Sequence, residues 1–390
     1  MELSQRSRID TTPSPLGAVL SEARQLYPQA VDLTLSNPTR AELSYAAYTG
    51  GGVFELPAAG VYDPDPLGDR AARRAVARHW PACAGLPTAD EIVLLPSSSE
   101  AYHYLFLLLC DAGDDVLAPE PSYPLLAHLA RYAGIQLRPY RLAYDGAWHI
   151  DLASLSRART ERTRAIVLIS PNNPTGSYTS RVELAELASL GLPLISDEVF
   201  SQYPTRARPE LLLSAFGASP ALTFCIDGLS KSAGLPHLKL SWIGVSGPAP
   251  AVRESMQRLT WMADTYLATA TPVQRALPEI LNRAPAFRAG LSARLHQNRD
   301  ILARALAGSA ASLLDSEGGW YAVVRLPDLA DEDEWVLGLL NAGAATHPGY
   351  FYDFEDRAPH LVLSLLAPPA AFKHGAGVLR SEVDRRVASR

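Results

Sequence analysis

Short apolar segments alternate with longer segments of helical periodicity between residues 91 and 247. The apolar segments are EIVLLP at 91–96, DVLAPE at 115–120, AIVLIS at 165–170, LPLISDE at 192–198, ALTFCID at 221–227 and SWIGVSG at 241–247. Because they are apolar throughout rather than alternating, they predict strands that are buried on both faces. The segments between them place apolar residues at helical spacing and often end in glycine, as helices do. This alternation predicts a mainly parallel sheet covered by helices.

The pattern changes after about residue 250, where long helical segments replace the alternation. Three shorter strand-like segments follow, WYAVVRLP at 320–327, AATHPG at 344–349 and HLVLSLL at 360–366. They predict a second, smaller α/β unit that the N-terminal segment joins. Since 390 residues exceed what one hydrophobic core usually covers, we expect two domains. The predicted large domain is 46–282, and the small domain combines 1–45 with 283–390.

Composition narrows the class of partner. The net charge is −6, with mixed signs and no long basic run, so we expect neither nucleic acid nor an anionic membrane as a partner. The three cysteines, Cys83, Cys110 and Cys225, form no close pair, which argues against a disulfide framework and a zinc site. The charge pattern instead favours a small-molecule substrate. A polar N-terminus and the absence of a long apolar run indicate a cytoplasmic protein.

Polar residues stand at the ends of four predicted strands, where open α/β sheets bind ligands. Three serines at 97–99 precede a helix, so their N–H groups and hydroxyls suit an anion such as phosphate, or simply cap the helix. SPNNPTG at 170–176 aims two asparagines at the same crevice, although it is also an ordinary turn. Asp197 would be partly buried and would need a cation or a strong donor, unless it caps a helix.

Lys231 lies between two serines in GLSKSAGLPHLKLSW at 228–242. A solvated surface charge is the ordinary interpretation of such a lysine. The alternative is an amine whose pKa is lowered by its surroundings, so that it attacks a carbonyl cofactor and forms a Schiff base.

Seven segments, taken together and in order, carry a resemblance. They are LSNP at 35–38, VYDPDPLG at 61–68, SSSEA at 97–101, PEPSYPLL at 119–126, SPNNPTG at 170–176, SDEVF at 196–200 and GLSKSAGLPHLKLSW at 228–242. The chain resembles the class I/II aminotransferases, which are pyridoxal-phosphate enzymes of fold type I. The resemblance implies a large domain with a mainly parallel, mixed, seven-stranded sheet sandwiched by helices, plus a smaller α/β domain.

The resemblance also implies a role for each matched residue. Lys231 would form the Schiff base and then move a proton from the substrate's α-carbon. Asp197 would pair with the protonated pyridine nitrogen, Asn173 would donate to the ring's phenolic oxygen, and Tyr123 would stack on the ring face.

The cofactor phosphate would lie on Ser98 and Ser99, with Ser230 and Lys239 beside it. Tyr62 would reach the phosphate from the other subunit, so that the active unit would be a homodimer.

Several positions depart from the family's pattern. Phe200 stands where most relatives have a tyrosine that donates to the phenolic oxygen, and Lys239 replaces a usual arginine. Val362 aligns with the arginine that clamps the substrate's α-carboxylate. Either another cation such as Arg357 substitutes, although its polar loop is typical of a surface residue, or the substrate lacks a carboxylate there.

Gly228 and Ser36 also replace frequent residues, a serine and a glycine respectively, near the expected phosphate or substrate. Ser36, Asn37 and Trp320 are further candidates for substrate contact. The aromatic residues at 320–321 and 350–352 suit a bulky or apolar amino donor, or are simply core.

Three functions stay open at this point. The leading one is a transaminase that moves an amino group from an amino acid to a 2-oxo acid. The second is another pyridoxal-phosphate reaction, namely C–S β-elimination, decarboxylation or oxidation. The third is a noncatalytic cofactor-binding regulator, which we disfavour because only some thirty residues precede VDLTLSNP and the chain is acidic.

Overall fold

In the computed structural model, the described residues are 4, 6, 14–48, 64–81, 85–206, 211–354 and 358–389. The strands are β1 Val31–Asp32, β2 Ile92–Leu95, β3 Asp115–Glu120, β4 Gln136–Tyr144, β5 Trp148–Ile150, β6 Thr163–Ile169, β7 Leu194–Asp197, β8 Thr223–Gly228, β9 Ser241–Ser246, β10 Ser312–Leu313, β11 Tyr321–Arg325, β12 Ala344–Ala345, β13 His347–Pro348 and β14 His360–Ser364. The α-helices are α1 Pro15–Leu26, α2 Arg70–Arg78, α3 Ser98–Leu109, α4 Leu125–Ala133, α5 Leu152–Ala158, α6 Arg181–Ser189, α7 Leu229–Ser232, α8 Ala249–Tyr266, α9 Thr271–Leu306, α10 Glu332–Asn341 and α11 Pro369–Ala388.

The main sheet has eight strands in the order β2-β9-β8-β7-β6-β3-β4-β5. The central pairs from β8 to β4 are parallel, whereas β9 runs antiparallel to β2 and β8. The expected mixed, mainly parallel α/β sheet is therefore confirmed, with one strand more than the seven expected. The edge strand β5 pairs antiparallel with β4, and β4 carries Arg138 and Arg141, so neither forms an apolar run in the sequence.

Helices cover both faces of this sheet because neighbouring residues on each strand point to opposite sides. On β6, Ile166 and Leu168 pack against α2 and the first half of α9, in what we call the α2-face core. Ala165 and Val167 point the other way and pack against α3, α4 and α8. This two-sided burial explains why the strands read as unbroken apolar segments.

A separate apolar cluster, the small-sheet core, lies under the four-stranded sheet β10-β11-β14-β13. It combines the second half of α9 with α10 and α11, and the N-terminal Leu16 and Leu33 belong to it. The parallel pair of β1 with β12 aligns Val31 with Ala344, so the N-terminal segment does join the C-terminal part. The division into 46–282 and the remainder stays a prediction, and α9 runs unbroken through its boundary.

Two further observations concern the class of protein. Among the described helices, none is long and apolar enough to cross a membrane. Within the same part of the chain, histidine, cysteine and acidic side chains form no group of three that would hold a metal ion. Cys110 and Cys225 form no disulfide among the described residues, and Cys83 lies outside them.

Candidate active site

The carboxyl ends of β6, β7 and β8 meet at one edge of the sheet and carry the predicted polar residues. Ile169 at the end of β6 pairs with Asp197, and Asp197 pairs with Ile226 on β8. Lys231 follows β8 in the one-turn helix α7. The sheet therefore brings Asp197 and Lys231 to the same edge, where the negative charge of Asp197 acts to raise the pKa of the Lys231 amine.

Lys231 has an aromatic environment. Its Nζ lies 5.8 Å from the ring centroid of Phe200 and 5.5 Å from that of Trp320, which is completely buried. Burial lowers the pKa of the Lys231 amine, and the negative charge of Asp197 acts in the opposite direction. These contacts exclude the solvated surface charge and favour a nucleophilic amine.

Asp197 is held by two donors. The hydroxyl of Tyr102 donates to Oδ2 at 2.9 Å, and the N–H of Val199 donates to Oδ1 at 3.2 Å. Burial raises the pKa of the Asp197 carboxyl, while both donors and the Lys231 cation favour its ionised form. Asp197 is thus a partly buried carboxylate, as expected from the sequence, and two donors fix its orientation, which suits pairing with a cationic group of a ligand.

The N-terminus of α3 is the candidate phosphate site. Ser97 caps the helix by accepting a hydrogen bond from the N–H of Glu100 at 3.2 Å, whereas Ser98 and Ser99 supply first-turn N–H groups that have no partner inside the helix. Pairing of Ser241 with Leu95 brings the exposed Lys239, two residues earlier, to this helix. Burial raises the pKa of the Glu100 carboxyl, and the positive charge of Lys239 partly opposes this shift.

The two asparagines of SPNNPTG have different roles. Asn172 supports its own turn, because its Oδ1 accepts from the N–H and hydroxyl of Thr175 at 3.2 and 3.0 Å. Asn173 is buried, and its Oδ1 has no hydrogen-bond partner among the described residues. A buried polar atom without a partner costs free energy unless a ligand or water satisfies it, so Asn173 is the asparagine available to a ligand.

Two other candidates have environments that bear on ligand binding. Tyr123 is 48% exposed and lies close enough to Tyr321 and Tyr352 to influence both phenols, which leaves its ring accessible. Ser230 is half-buried within α7, next to Lys231.

Candidates from the N-terminal segment lie on the surface. Ser36 and Asn37 are exposed, and Asn37 Oδ1 accepts from the N–H of Thr39 at 3.0 Å and caps a short 3-10 helix, Pro38–Arg40. Local structure therefore already uses the acceptor of Asn37. Tyr62 and Arg357 lie outside the described residues, and their assignments stay predictions.

The positions that depart from the family's pattern have physical explanations in this structure. Phe200 packs edge-on against Trp320, with ring centroids 5.2 Å apart. A Cβ at Gly228 would lie 2.6 Å from Ser241 Oγ, so close strand packing demands glycine there. Val362 is buried in the small-sheet core, where it pairs with Val323 on β11 and with His347 on β13.

Sequence reasoning missed three residues at this site. Tyr102 binds Asp197, Tyr203 donates to the carbonyl of Lys231 at 2.6 Å, and Arg288 donates to the carbonyl of Ser232 at 3.1 Å. The sequence could have indicated Tyr102, because it lies one helical turn after Ser98 on the same face of α3 and so near the candidate phosphate site. The other two contacts join distant parts of the chain and had none.

Comparison with known proteins agrees with this geometry. The family model described as aminotransferase class I and II matches residues 63–358. Nicotianamine aminotransferase A of Hordeum vulgare is 34% identical over 259 residues, which are 63% of this chain and 54% of that protein. Alanine aminotransferase of Mycobacterium tuberculosis is 30% identical over 289 residues, or 71% of this chain and 67% of that protein. The chain spans about half the length of the nicotianamine aminotransferases that it matches.

Solved structures show the same fold. Alanine aminotransferase from Pyrococcus furiosus superimposes with a TM-score of 0.86 at 22% identity, covering 98% of this chain and 100% of that one. An aminotransferase from Escherichia coli gives a TM-score of 0.83 at 22% identity, covering 98% of both chains.

Proposed function

The chain belongs to the class I and II aminotransferase family, and we propose that it transfers an amino group from an amino acid to a 2-oxo acid with pyridoxal phosphate as cofactor. The observation that carries this proposal is the partly buried Lys231 amine, which lies beside two aromatic rings and close enough to Asp197 at the carboxyl edge of the sheet to feel its charge. Both substrates are small molecules.

The residues present fit this cofactor. The N-terminus of α3 with Ser98, Ser99 and the nearby Lys239 suits a phosphate, since N–H groups and a positive charge meet there. Asp197 suits the protonated ring nitrogen, and the amide Nδ2 of the buried Asn173 is the group that would donate to the ring's oxygen. The accessible ring of Tyr123 and the hydroxyl of Ser230 complete the set.

When bound, pyridoxal phosphate supplies an electron sink for the bond that breaks at the substrate's α-carbon. Lys231 would bind the cofactor through its aldehyde, and the lowered pKa of the amine favours its neutral, nucleophilic form. When free, the same Nζ would act as general base and acid, accepting the proton from the substrate's α-carbon and donating it again to complete the transfer. Asp197, whose ionised form the Tyr102 hydroxyl favours, would hold the ring nitrogen protonated, while the rings of Phe200 and Trp320 lie beside the amine.

Borohydride trapping tests the assignment of Lys231. The chain contains three lysines, Lys231, Lys239 and Lys373, so a reduced adduct is readily assigned to one peptide by mass spectrometry. We expect the cofactor adduct at Lys231, and none there in Lys231→Ala, which keeps its fold. An unmodified Lys231 in cofactor-loaded protein would refute the proposal.

A panel of amino donors then tests the reaction itself. Single turnovers should convert bound cofactor to its amine form and release one 2-oxo acid. Because aromatic residues surround Lys231, we expect apolar or aromatic amino acids to react faster than aspartate.

A lyase is the second candidate function. An S-alkyl-thiohydroximate lyase of Arabidopsis thaliana is 31% identical over 223 residues, 55% of this chain and 47% of that protein. The same assay separates the two, because C–S β-elimination of a cysteine conjugate yields a thiol, ammonia and pyruvate without converting the cofactor. Those products would reverse the ranking.

We further propose a homodimer in which Tyr62 contacts the cofactor phosphate of the other subunit. Mixing inactive Tyr62→Ala chains with inactive Lys231→Ala chains should restore activity, because one site of each mixed dimer then has both native residues. Mixed dimers that stay inactive would contradict the shared site. The cytoplasmic location expected from the sequence stays a prediction.

A further inference from the structure

Four consecutive backbone carbonyls, beginning with that of Lys231, each accept a hydrogen bond from a side chain. The donors are Tyr203 Oη to Lys231 O at 2.6 Å, Arg288 Nη1 to Ser232 O at 3.1 Å, Tyr48 Oη to Ala233 O at 3.1 Å and Tyr45 Oη to Gly234 O at 2.8 Å. We call these four donors the carbonyl clamp.

The carbonyl clamp supplies hydrogen-bond donors to carbonyls at the end of α7. A helix leaves its last four carbonyls without partners inside the helix, and α7 is only one turn long. Ala233 and Gly234 are buried, so water does not readily replace a missing donor. Lys231 O also accepts from the backbone N–H groups of Gly234, at 3.3 Å, and of Ala233. Side chains from elsewhere therefore hold the segment that carries the lysine.

The donors come from three separate parts of the chain, the N-terminal segment, the turn after β7 and helix α9. Tyr45 and Tyr48 pack against both the α2-face core and the small-sheet core. Their rings lie 5.1 and 5.9 Å from that of Phe287 on α9. Gly234 has a φ of +66°, and a Cβ there would lie 2.2 Å from the Phe287 ring. The lysine segment is thus fitted closely against α9 and the N-terminal tyrosines.

We propose that the carbonyl clamp consists of positioning residues that fix the backbone at Lys231, so that the released amine stays aimed at the substrate's α-carbon. This inference rests on the proposed function. Proton transfer requires the reacting atoms within about 3–3.5 Å, and a lysine side chain amplifies small backbone rotations through its length. A clamp at the carbonyls restricts the backbone and leaves the side chain free to move.

Tyr203 offers the cleanest test. Its ring is buried and packs edge-on against Trp320, 5.3 Å between centroids, and Trp320 also flanks the Lys231 amine. Tyr203→Phe retains that ring contact and removes only the hydroxyl. Tyr140→Phe is the matched control, since Tyr140 is equally buried and its hydroxyl donates to Val167 O at 2.8 Å in the sheet.

The experiment uses cofactor-loaded enzyme and a reactive amino acid with hydrogen or deuterium at its α-carbon. We expect Tyr203→Phe to lower the single-turnover rate by about 10- to 100-fold, with a larger deuterium isotope effect. The amino-acid concentration that gives half the maximal rate should change by less than about twofold, because the clamp does not contact the substrate. Tyr140→Phe should stay within about twofold of wild type on both measures.

The outcomes separate the two proposals. Without a borohydride adduct at Lys231 of wild type, the proposed function fails. With that adduct present, equal rates or equal isotope effects for Tyr203→Phe and wild type overturn the clamp and leave the function intact. If Tyr203→Phe does not fold, Tyr48→Phe, which removes the donor to Ala233 O, decides by the same measurements.

Discussion

Tyr102 and Asp197 are joined by a hydrogen bond of 2.9 Å, from the phenol on α3 to the carboxylate at the end of β7. Tyr102→Phe should weaken pyridoxal-phosphate binding by about tenfold or more, since a hydrogen bond to a charged group contributes about 1.5–3 kcal/mol. Loss of the donor also raises the pKa of Asp197 further. On acidification, Tyr102→Phe should therefore lose its affinity for the cofactor at a higher pH than wild type does.

Fluorescence titration with the cofactor across pH measures both effects of Tyr102→Phe. The control is Tyr140→Phe, whose lost hydroxyl lies at Val167 rather than at a carboxylate. Equal affinities for wild type and Tyr102→Phe at every pH would show that the phenol does not support Asp197.

Glu198 gives the stability of the protein a pH dependence of its own. It is buried, accepts hydrogen bonds from Ser196 Oγ and the N–H of Ala215 at 2.8 Å each, and burial raises its pKa from 4.5 to about 6. A carboxyl whose pKa is higher in the folded state stabilises the fold in its protonated form. That contribution is lost as pH rises from about 4.5 through about 6, and it amounts to about 2 kcal/mol.

Glu198→Gln removes this titration. The free energy of unfolding of the variant, measured in urea on cofactor-free protein, should gain about 2 kcal/mol over wild type between about pH 3.5 and about pH 7, with most of the change between about pH 4.5 and about pH 6. Glu186→Gln, at an exposed position on α6, serves as the control and should show a constant difference. A constant difference for Glu198→Gln as well would contradict the prediction.

Parallel topology explains which site residues the sequence could predict. Asp197 and Lys231 follow unbroken apolar strands, and such strands align their carboxyl ends, so proximity followed from the order of segments alone. The sequence also predicted that Ser98 and Ser99 begin a helix directly after a strand, and the structure confirms this placement; their contact with a phosphate stays a prediction.

Contacts between distant segments were not predictable in this way. Tyr102 and Asp197 are 95 residues apart, and Arg288 and Ser232 are 56 apart. A tyrosine or arginine on an amphipathic helix shows the same local pattern whether it meets a carboxylate, a carbonyl or solvent. Strand β4 escaped detection for a related reason, since its partly exposed arginines interrupt the apolar pattern that marks the central strands.

The partly buried Lys231 cation should destabilise the cofactor-free protein. Burial lowers the pKa of the amine in the folded state, so the penalty is full at pH values below that pKa. As pH rises toward the unfolded value of about 10.4, the folded protein holds fewer protons than the unfolded chain and the penalty disappears. Lys231→Met should therefore be more stable than wild type at neutral pH, with a difference that shrinks as the solution becomes alkaline.

Urea unfolding between about pH 6 and about pH 10 measures the effect of Lys231→Met, within the range where lysine titrates. Lys373 is exposed on α11, and Lys373→Met should show little difference at any of these pH values. A stability difference for Lys231→Met that grows with pH would mean that the amine is stabilised, not penalised, as a cation.

Substituting Val362 tests whether an arginine at this position could bind the substrate's α-carboxylate, as the corresponding arginine of relatives is expected to do. The side chain is only 1% exposed, opposite Val323 on β11, and it belongs to the small-sheet core. Val362→Arg places a charged side chain in that core, so we expect the free energy of unfolding to fall by about 3–5 kcal/mol, without faster reaction of α-amino acids. Val362→Ile should cost about 1–3 kcal/mol at most, through overpacking alone.

Urea unfolding measures the stability of the Val362 variants, and single turnovers with amino acids and the corresponding amines measure their reaction rates. A folded Val362→Arg enzyme that reacts faster with amino acids, but not with amines, would instead show that this position opens onto the substrate carboxylate.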